Sequence, residues 1–261
     1  MRFLGGESLP GGVYLADGRR CALALEGPGG VEVEVFPAPF PRTPRFLRAF
    51  TSLAYALGLH LRAYLRAMER AAKGGEGERP MNLLEGVLAL LLILLNLALV
   101  LGLVLLSRKA GEAVVHPFLG KTLALLLPFL ALLLALRLLL SLMGGDVLRK
   151  HAAEHQVVHL VERGLPLTLE GARGMPRLHS RCSFNLLGLS FLFFLPLGFL
   201  LPLWLALPLS FLLAYEATTA FPALAPLGYP LQSLFLGPPR DRDLEVALAA
   251  ARALLGEEVS G

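Results

Sequence analysis

His151 and His155 stand four residues apart in the pentapeptide His-Ala-Ala-Glu-His, with Glu154 directly before the second histidine. Residues four apart on a helix share one face at roughly 6 Å, so both imidazoles can reach a single divalent cation. A glutamate three residues after the first histidine can hold or deprotonate a water there, which is the chemistry of a zinc-dependent hydrolase. His159 continues the series, but eight residues of straight helix rise about 12 Å, too far for three imidazoles to share one ion. A second cluster, His179-Ser-Arg-Cys182, adds an imidazole and a thiol. Cys182 and Cys21, the two cysteines of the chain, read as free thiols or ligands.

What must position these clusters is a set of apolar helices. The chain is 55% hydrophobic and 17% charged, with a mean hydropathy of +0.64, where a soluble domain carries roughly a quarter charged residues. Residues 83–106 supply almost without interruption the ~20 apolar residues that cross a bilayer, and 119–143 do so again. Residues 184–221 form a longer run broken by Pro196, Pro202 and Pro208, enough for two short crossings with a turn near Pro202, a composition that a re-entrant hairpin would share. The expected fold is mainly α: a polytopic membrane protein of four transmembrane helices, with a small N-terminal cytoplasmic β-sheet and cytoplasmic helices. Helices two and three would hold both ends of the 144–183 loop at one membrane face. That topology brings His151, His155, His179 and Cys182 to a shared depth.

The remaining segments have distinct patterns. Residues 1–36 alternate apolar and polar positions between glycine-containing turns, as expected of about three antiparallel strands. Residues 37–80 read as a basic amphipathic helix and linker, with Leu53, Leu57, Leu61 and Leu65 opposed by Arg62, Arg66 and Arg70, suited to the anionic inner leaflet. Residues 81–143 and 184–221 hold the four spans. Residues 222–261 read as an interfacial segment and a cytoplasmic helix with Leu244, Leu248 and Ala251 on one stripe.

Of the 24 lysines and arginines, 20 fall in residues 1–80, the central loop and the tail, against three in the loop after the first span. By the positive-inside rule both termini and the central loop are cytoplasmic, in the bacterial inner membrane. The N-terminus turns polar at once, so no cleaved signal peptide is expected. The net charge of +4 is spread over loops without interleaved aromatics, which argues against nucleic acid. The expected partners are the lipid bilayer and a second copy or another membrane protein.

Several short motifs resemble those of the DUF1385 (YqhQ-like) family of membrane proteins with a predicted metal dependence. His151-Ala-Ala-Glu-His155 is similar to its H-G-A-E-H, Glu162 to its next acidic position, and Leu167-Thr-Leu-Glu170-Gly-Ala-Arg173 to its L-T-x-E-N-x-R. His179-Ser-Arg181-Cys182 is similar to its H-P-R-C, Tyr215-Glu216 to a late intramembrane Y-E pair, and Leu244-Glu-Val-Ala247 to its closing L-E-V-A. The chain departs from the family where Cys182 is followed by Ser183-Phe184, and in Gly5-Gly6-Glu7-Ser8, which lacks the inner glutamate of the N-terminal glycine motif. The resemblance implies a metal site and leaves the reaction open.

Inside the apolar runs Asn96, Arg137 and Glu216 are costly, since a lone charge in hydrocarbon costs several kcal/mol. Arg137 and Glu216 are expected to pair between helices two and four. Two functional readings follow. In the first, His151 and His155 bind zinc, Glu154 is the general base, and Cys182, His179, Glu162 or Glu170 completes the shell of a membrane hydrolase, with His159, Arg173 and Arg181 in support. In the second, a closed structural metal staples the loop of a non-catalytic membrane scaffold or assembly factor, a role that thiolate ligation favours.

Overall fold

The computed structural model describes residues 5–27, 29–42, 44, 47–73, 117–142 and 145–256. The expected first span at 83–106, with Asn96, and the linker at 74–80 lie outside the described residues.

Strands β1 (Gly5–Leu9), β2 (Gly12–Ala16), β3 (Arg20–Gly27) and β4 (Gly30–Pro37) form an antiparallel meander in sequence order. The sheet has four strands where alternation alone suggested about three, because β1 is too short and glycine-rich to show the period. Cross-strand pairs Val13–Ala24 and Leu15–Ala22 face one way; Tyr14–Leu23 and Ala16–Cys21 face the other. Both faces are apolar, so both must be covered.

Nine further elements follow among the described residues: α1 (Arg48–Lys73), α2 (Pro117–Leu142), α3 (Asp146–Arg163), α4 (Leu169–Arg173), α5 (Ser183–Leu200), α6 (Leu203–Ala220), a 3-10 segment (Pro222–Gly228), α7 (Tyr229–Leu234) and α8 (Asp241–Leu255). Leu59 and Ala63 of α1 cover the Tyr14 face, while α3 and α8 cover the Val13 face with Ala153, Val157, Leu244, Leu248 and Ala251. Alanines on β3 and α8 let helix and sheet approach closely, and each fully buried leucine contributes roughly 1.5–3 kcal/mol. The result is a helix–sheet–helix sandwich with α3 in one outer layer.

At its C-terminal end α3 stops at Gly164, whose φ of 63° suits glycine alone without strain, and Leu165 N–H closes back on Leu160 O at 2.9 Å. At its start lies an unanticipated buried ion cluster. Lys150, fully buried, reaches Glu26, Asp146 and Asp243 at 2.7, 2.5 and 3.3 Å, tying β3, α3 and α8 together.

Helices α5 and α6 are joined only by Leu201-Pro202 and pack on one another as a hairpin. Leu201 and Pro202 adopt extended backbone and the apolar run breaks there, whereas Pro196 and Pro208, also expected to break it, lie inside α5 and α6. Among the described residues one helix, Ser183–Leu200, is long and apolar enough to cross a membrane by length and composition. The fold is therefore mostly helical with a small antiparallel sheet. Along α1, Leu53, Leu57, Leu61 and Leu65 are exposed, while Arg66 and Arg70 fold over the sheet edge to Glu34.

The expected Arg137–Glu216 pair does not form. Glu216, near the end of α6, accepts from Arg48 Nε of α1 at 2.8 Å, and neighbouring Tyr215 bonds Ser52 at 2.9 Å. Arg137 instead bonds Ser141 one turn along α2. The packing of α1 on α6 brings Arg48 to Glu216 first.

Candidate metal centre

Helix α3 turns His151, His155 and His159 toward the segment 174–182, and side chains of the helix strap that segment by its backbone. Gln156 Nε2 donates to Met175 O at 2.7 Å, His155 Nδ1 lies 2.5 Å from Arg177 O, and His159 Nε2 lies 2.8 Å from Leu178 O. From the other side Gln232 of α7 exchanges hydrogen bonds with His179, donating to its carbonyl at 3.0 Å and accepting its N–H at 3.3 Å. Cys182, at the head of α5, is thereby delivered to His151: its Sγ lies 3.3 Å from Nε2. Phe184 stacks on Phe235 beneath, centroids 4.1 Å apart, and Phe235 O lies 3.2 Å from His151 Nδ1.

These contacts assign the imidazole protons. A carbonyl only accepts, so His151 and His155 each donate from Nδ1, to Phe235 O and Arg177 O. Each then presents an Nε2 lone pair to the interior, the arrangement by which proteins orient metal-ligating histidines. With Cys182 they form a buried trio whose ligand atoms lie within 4.8 Å of one another. Donors on a tetrahedral zinc stand roughly 3.3–3.6 Å apart by its bond lengths, close to the His151–Cys182 spacing. Two imidazoles and a thiol in prepared tautomers therefore fit a divalent ion such as zinc.

Burial shapes the charges. It lowers His151 below its ordinary value against the opposing Phe235 bond, and it lowers His155 further, with the other imidazoles adding. Burial pushes the Cys182 thiol up to about 11 and the Glu154 carboxyl up to about 8, the latter with help from the Glu7 charge. Glu154 Oε2 lies 3.5 Å from His155 Nε2. A Cβ on Gly6 would stand 2.8 Å from Glu154 Oε1, so β1 can pass this carboxylate only as glycine.

His179 does not join the trio. Its Nδ1 accepts the Arg181 N–H at 3.3 Å, so Nε2 carries the proton toward Glu162 Oε2 at 3.2 Å, and Arg181 pairs with the other Glu162 oxygen. His159, Glu162 and His179 are a second group close enough for a metal ion, but ligation through His179 Nε2 would turn its Nδ1–H against the Arg181 amide. The third such group, Glu26, Asp146 and Asp243, already surrounds the Lys150 ammonium. Glu170 is exposed on α4, and Arg173 pairs with Asp241 at 2.9 Å on the surface, so neither stands with the trio.

Sequence reasoning missed Glu7, Gln232 and the two carbonyls. Burial pushes the Glu7 carboxyl up, but bonds from His60 and Tyr14, at 2.8 and 2.9 Å, outweigh it and hold the group below its usual range beside Glu154 and His151. The Gly5-Gly6-Glu7 run was its one visible signal; a backbone carbonyl leaves none.

Residues 44–257 match the family described as "Protein of unknown function (DUF1385)". Nothing among curated proteins or solved structures matches the chain. The four-stranded sheet lies ahead of the matched residues, yet it packs on α3 and closes the site from the Glu154 side.

Proposed function

The chain belongs to the DUF1385 family, and we propose that it is an integral membrane metalloprotein of the bacterial inner membrane, hydrolase-like, with zinc held by His151, His155 and Cys182 at the cytoplasmic surface. The observation that carries this reading is the pair of Nδ1–H bonds to Phe235 O and Arg177 O, which leave two Nε2 lone pairs for an ion, that of His151 3.3 Å from Cys182 Sγ. Three protein donors leave a tetrahedral ion one position for substrate, the pattern of catalytic zinc. When bound, zinc would supply Lewis acidity at that position. The charge of a bound zinc would favour the ionised Glu154 carboxylate, which would then accept a proton from the attacking water and return it to the leaving group; Gly6 and Glu7 of β1 border it. The membrane part of the reading takes residues 83–106, α2, α5 and α6 as four crossings with both termini cytoplasmic, supported by the 20 to 3 charge asymmetry and the apolar Ser183–Leu200 helix.

A specific observation favours a structural metal instead: His151, His155, Cys182 and Glu154 are all buried, which restricts access by substrate. One set of variants separates the two. The full-length protein should purify with about one zinc per chain. Glu154→Gln should keep zinc and fold but lose zinc-dependent hydrolysis of chromogenic carboxylic and phosphate esters, whereas a staple would show no hydrolysis in either protein and local unfolding in His155→Ala. Absence of zinc by elemental analysis, with no thermal stabilisation on adding it, would overturn both readings.

A further inference from the structure

With Glu216 taken by Arg48, Arg137 has a different problem to solve. It sits in the apolar sequence Leu-Ala-Leu-Arg-Leu-Leu-Leu of α2, and among the described residues its side chain meets the Ser141 hydroxyl and no carboxylate. An arginine at the end of an apolar helix needs a counter-charge or water.

Arg137 and Ser141 line a pocket of about 520 Å³ together with Arg149 and Arg240. Two further lining residues are tied together where Gly237 N–H bonds Leu148 O at 2.9 Å, ahead of Pro238-Pro239. Arg149 is held in place by Asp146 and Asp243, each at 3.4 Å, and Lys150 shares those two carboxylates along with Glu26. Among the described residues the lining carries three arginines, Arg137, Arg149 and Arg240, and no carboxylate, so the pocket retains positive charge although Arg149 shares Asp146 and Asp243 with Lys150. Planar guanidinium groups together with a hydroxyl match the oxygens of a phosphate.

The helix says what kind of phosphate. Leu127, Leu130, Leu134 and Leu138 are exposed along α2, and Leu134, Arg137, Leu138 and Ser141 follow the i, i+3, i+4, i+7 spacing of one helix face. The face is apolar through its upper turns and cationic at its foot. An amphiphile with one anionic head and long alkyl chains has that profile, whereas a soluble phosphate would leave the leucines bare.

We propose that this pocket binds one anionic phospholipid, its phosphate between Arg137, Ser141 and Arg240 and its acyl chains along Leu127, Leu130, Leu134 and Leu138. Basic pockets at the cytoplasmic ends of membrane helices suit such headgroups. The site rests on the membrane reading of α2 and is independent of the metal centre.

The test uses the purified full-length protein in detergent, titrated with phosphatidylglycerol, phosphatidylcholine or inorganic phosphate and followed by native mass spectrometry. Phosphatidylglycerol should bind at about one per chain and about fivefold or more tighter than phosphatidylcholine; Arg137→Gln and Arg240→Gln should each remove most of that preference. Arg137→Lys should retain part of it, Arg163→Gln all of it, and circular dichroism of each variant should match the parent. Equal affinity for the two lipids, or an undiminished preference in both glutamine variants, overturns the proposal. Displacement of phosphatidylglycerol by millimolar inorganic phosphate would also overturn it, in favour of a soluble ligand. Flotation with vesicles separates the two readings: protein that floats without headgroup preference refutes the pocket alone, and protein that fails to float refutes the membrane reading beneath it.

Discussion

His151 and Cys182, 31 residues apart in the chain, meet with Nε2 3.3 Å from Sγ, whereas His179, three residues before that cysteine, is turned to Glu162. The carbonyl of Phe235 makes Nε2 of His151 an acceptor that faces the Cys182 thiol. The fold thus brings this pair of ligand atoms together, and the histidine nearest in sequence is excluded from it.

That division predicts which substitutions cost metal. His151→Ala, His155→Ala and Cys182→Ala should each reduce zinc to well below one per chain, while His179→Ala should retain it. Elemental analysis after gel filtration decides the point. Loss of zinc in His179→Ala equal to that in Cys182→Ala would mean that the trio is wrongly drawn.

The metal-free protein should be most stable near pH 6.5. His151, His155 and His179 are buried with values below the ordinary 6.5, His179 at about 4, so beneath pH 6.5 the unfolded chain binds more protons and stability falls toward about pH 4. Glu154 works the other way. Its folded value of about 8 lies above the ordinary 4.5, so the stability it contributes is lost as pH rises through 8. Melting temperature against pH should be bell-shaped for the parent, and Glu154→Gln should flatten the limb between pH 6.5 and 8. An unchanged limb would show that Glu154 is ionised in the fold.

Lys150→Met should destabilise the protein by about 3 kcal/mol, because it removes the buried ammonium shared by Asp146, Asp243 and Glu26 and leaves Arg149 alone to face the two aspartates. Chemical denaturation provides the measurement. A change under 1 kcal/mol would mean that water already neutralises the cluster.

Gly6→Ala should cost about 1–3 kcal/mol, since the new methyl would stand 2.6 Å from Tyr14 O and 2.5 Å from Leu15 Cδ2 as well as against Glu154. Zinc affinity should fall with it, because β1 must withdraw from the carboxylate. Wild-type melting and metal content in this variant would contradict the close approach.

A double-mutant cycle should find coupling between Arg48 and Glu216, and none between Arg137 and Glu216. The pair is exposed to solvent, so the coupling should be small and should weaken with added salt. The reverse pattern would restore the pairing expected from sequence.

The sequence by itself determined what is local and periodic. The i, i+4 histidines had to share a face of α3, and Leu244, Leu248 and Ala251 had to form one stripe of α8, because the 3.6-residue repeat acts within a few residues. Tertiary structure alone decided which partners met. Glu216 went to Arg48 because α1 packs on α6; Lys150 became buried because β3 and α8 bring it carboxylates from 26 and 243; and His179 left the trio because Arg181 and Glu162 fix its proton. Most telling are Phe235 O and Arg177 O, which set the tautomers of the two ligating histidines. Every residue carries such a carbonyl, so no side-chain pattern can mark the two that matter; only the packing of distant segments puts them within reach of an imidazole.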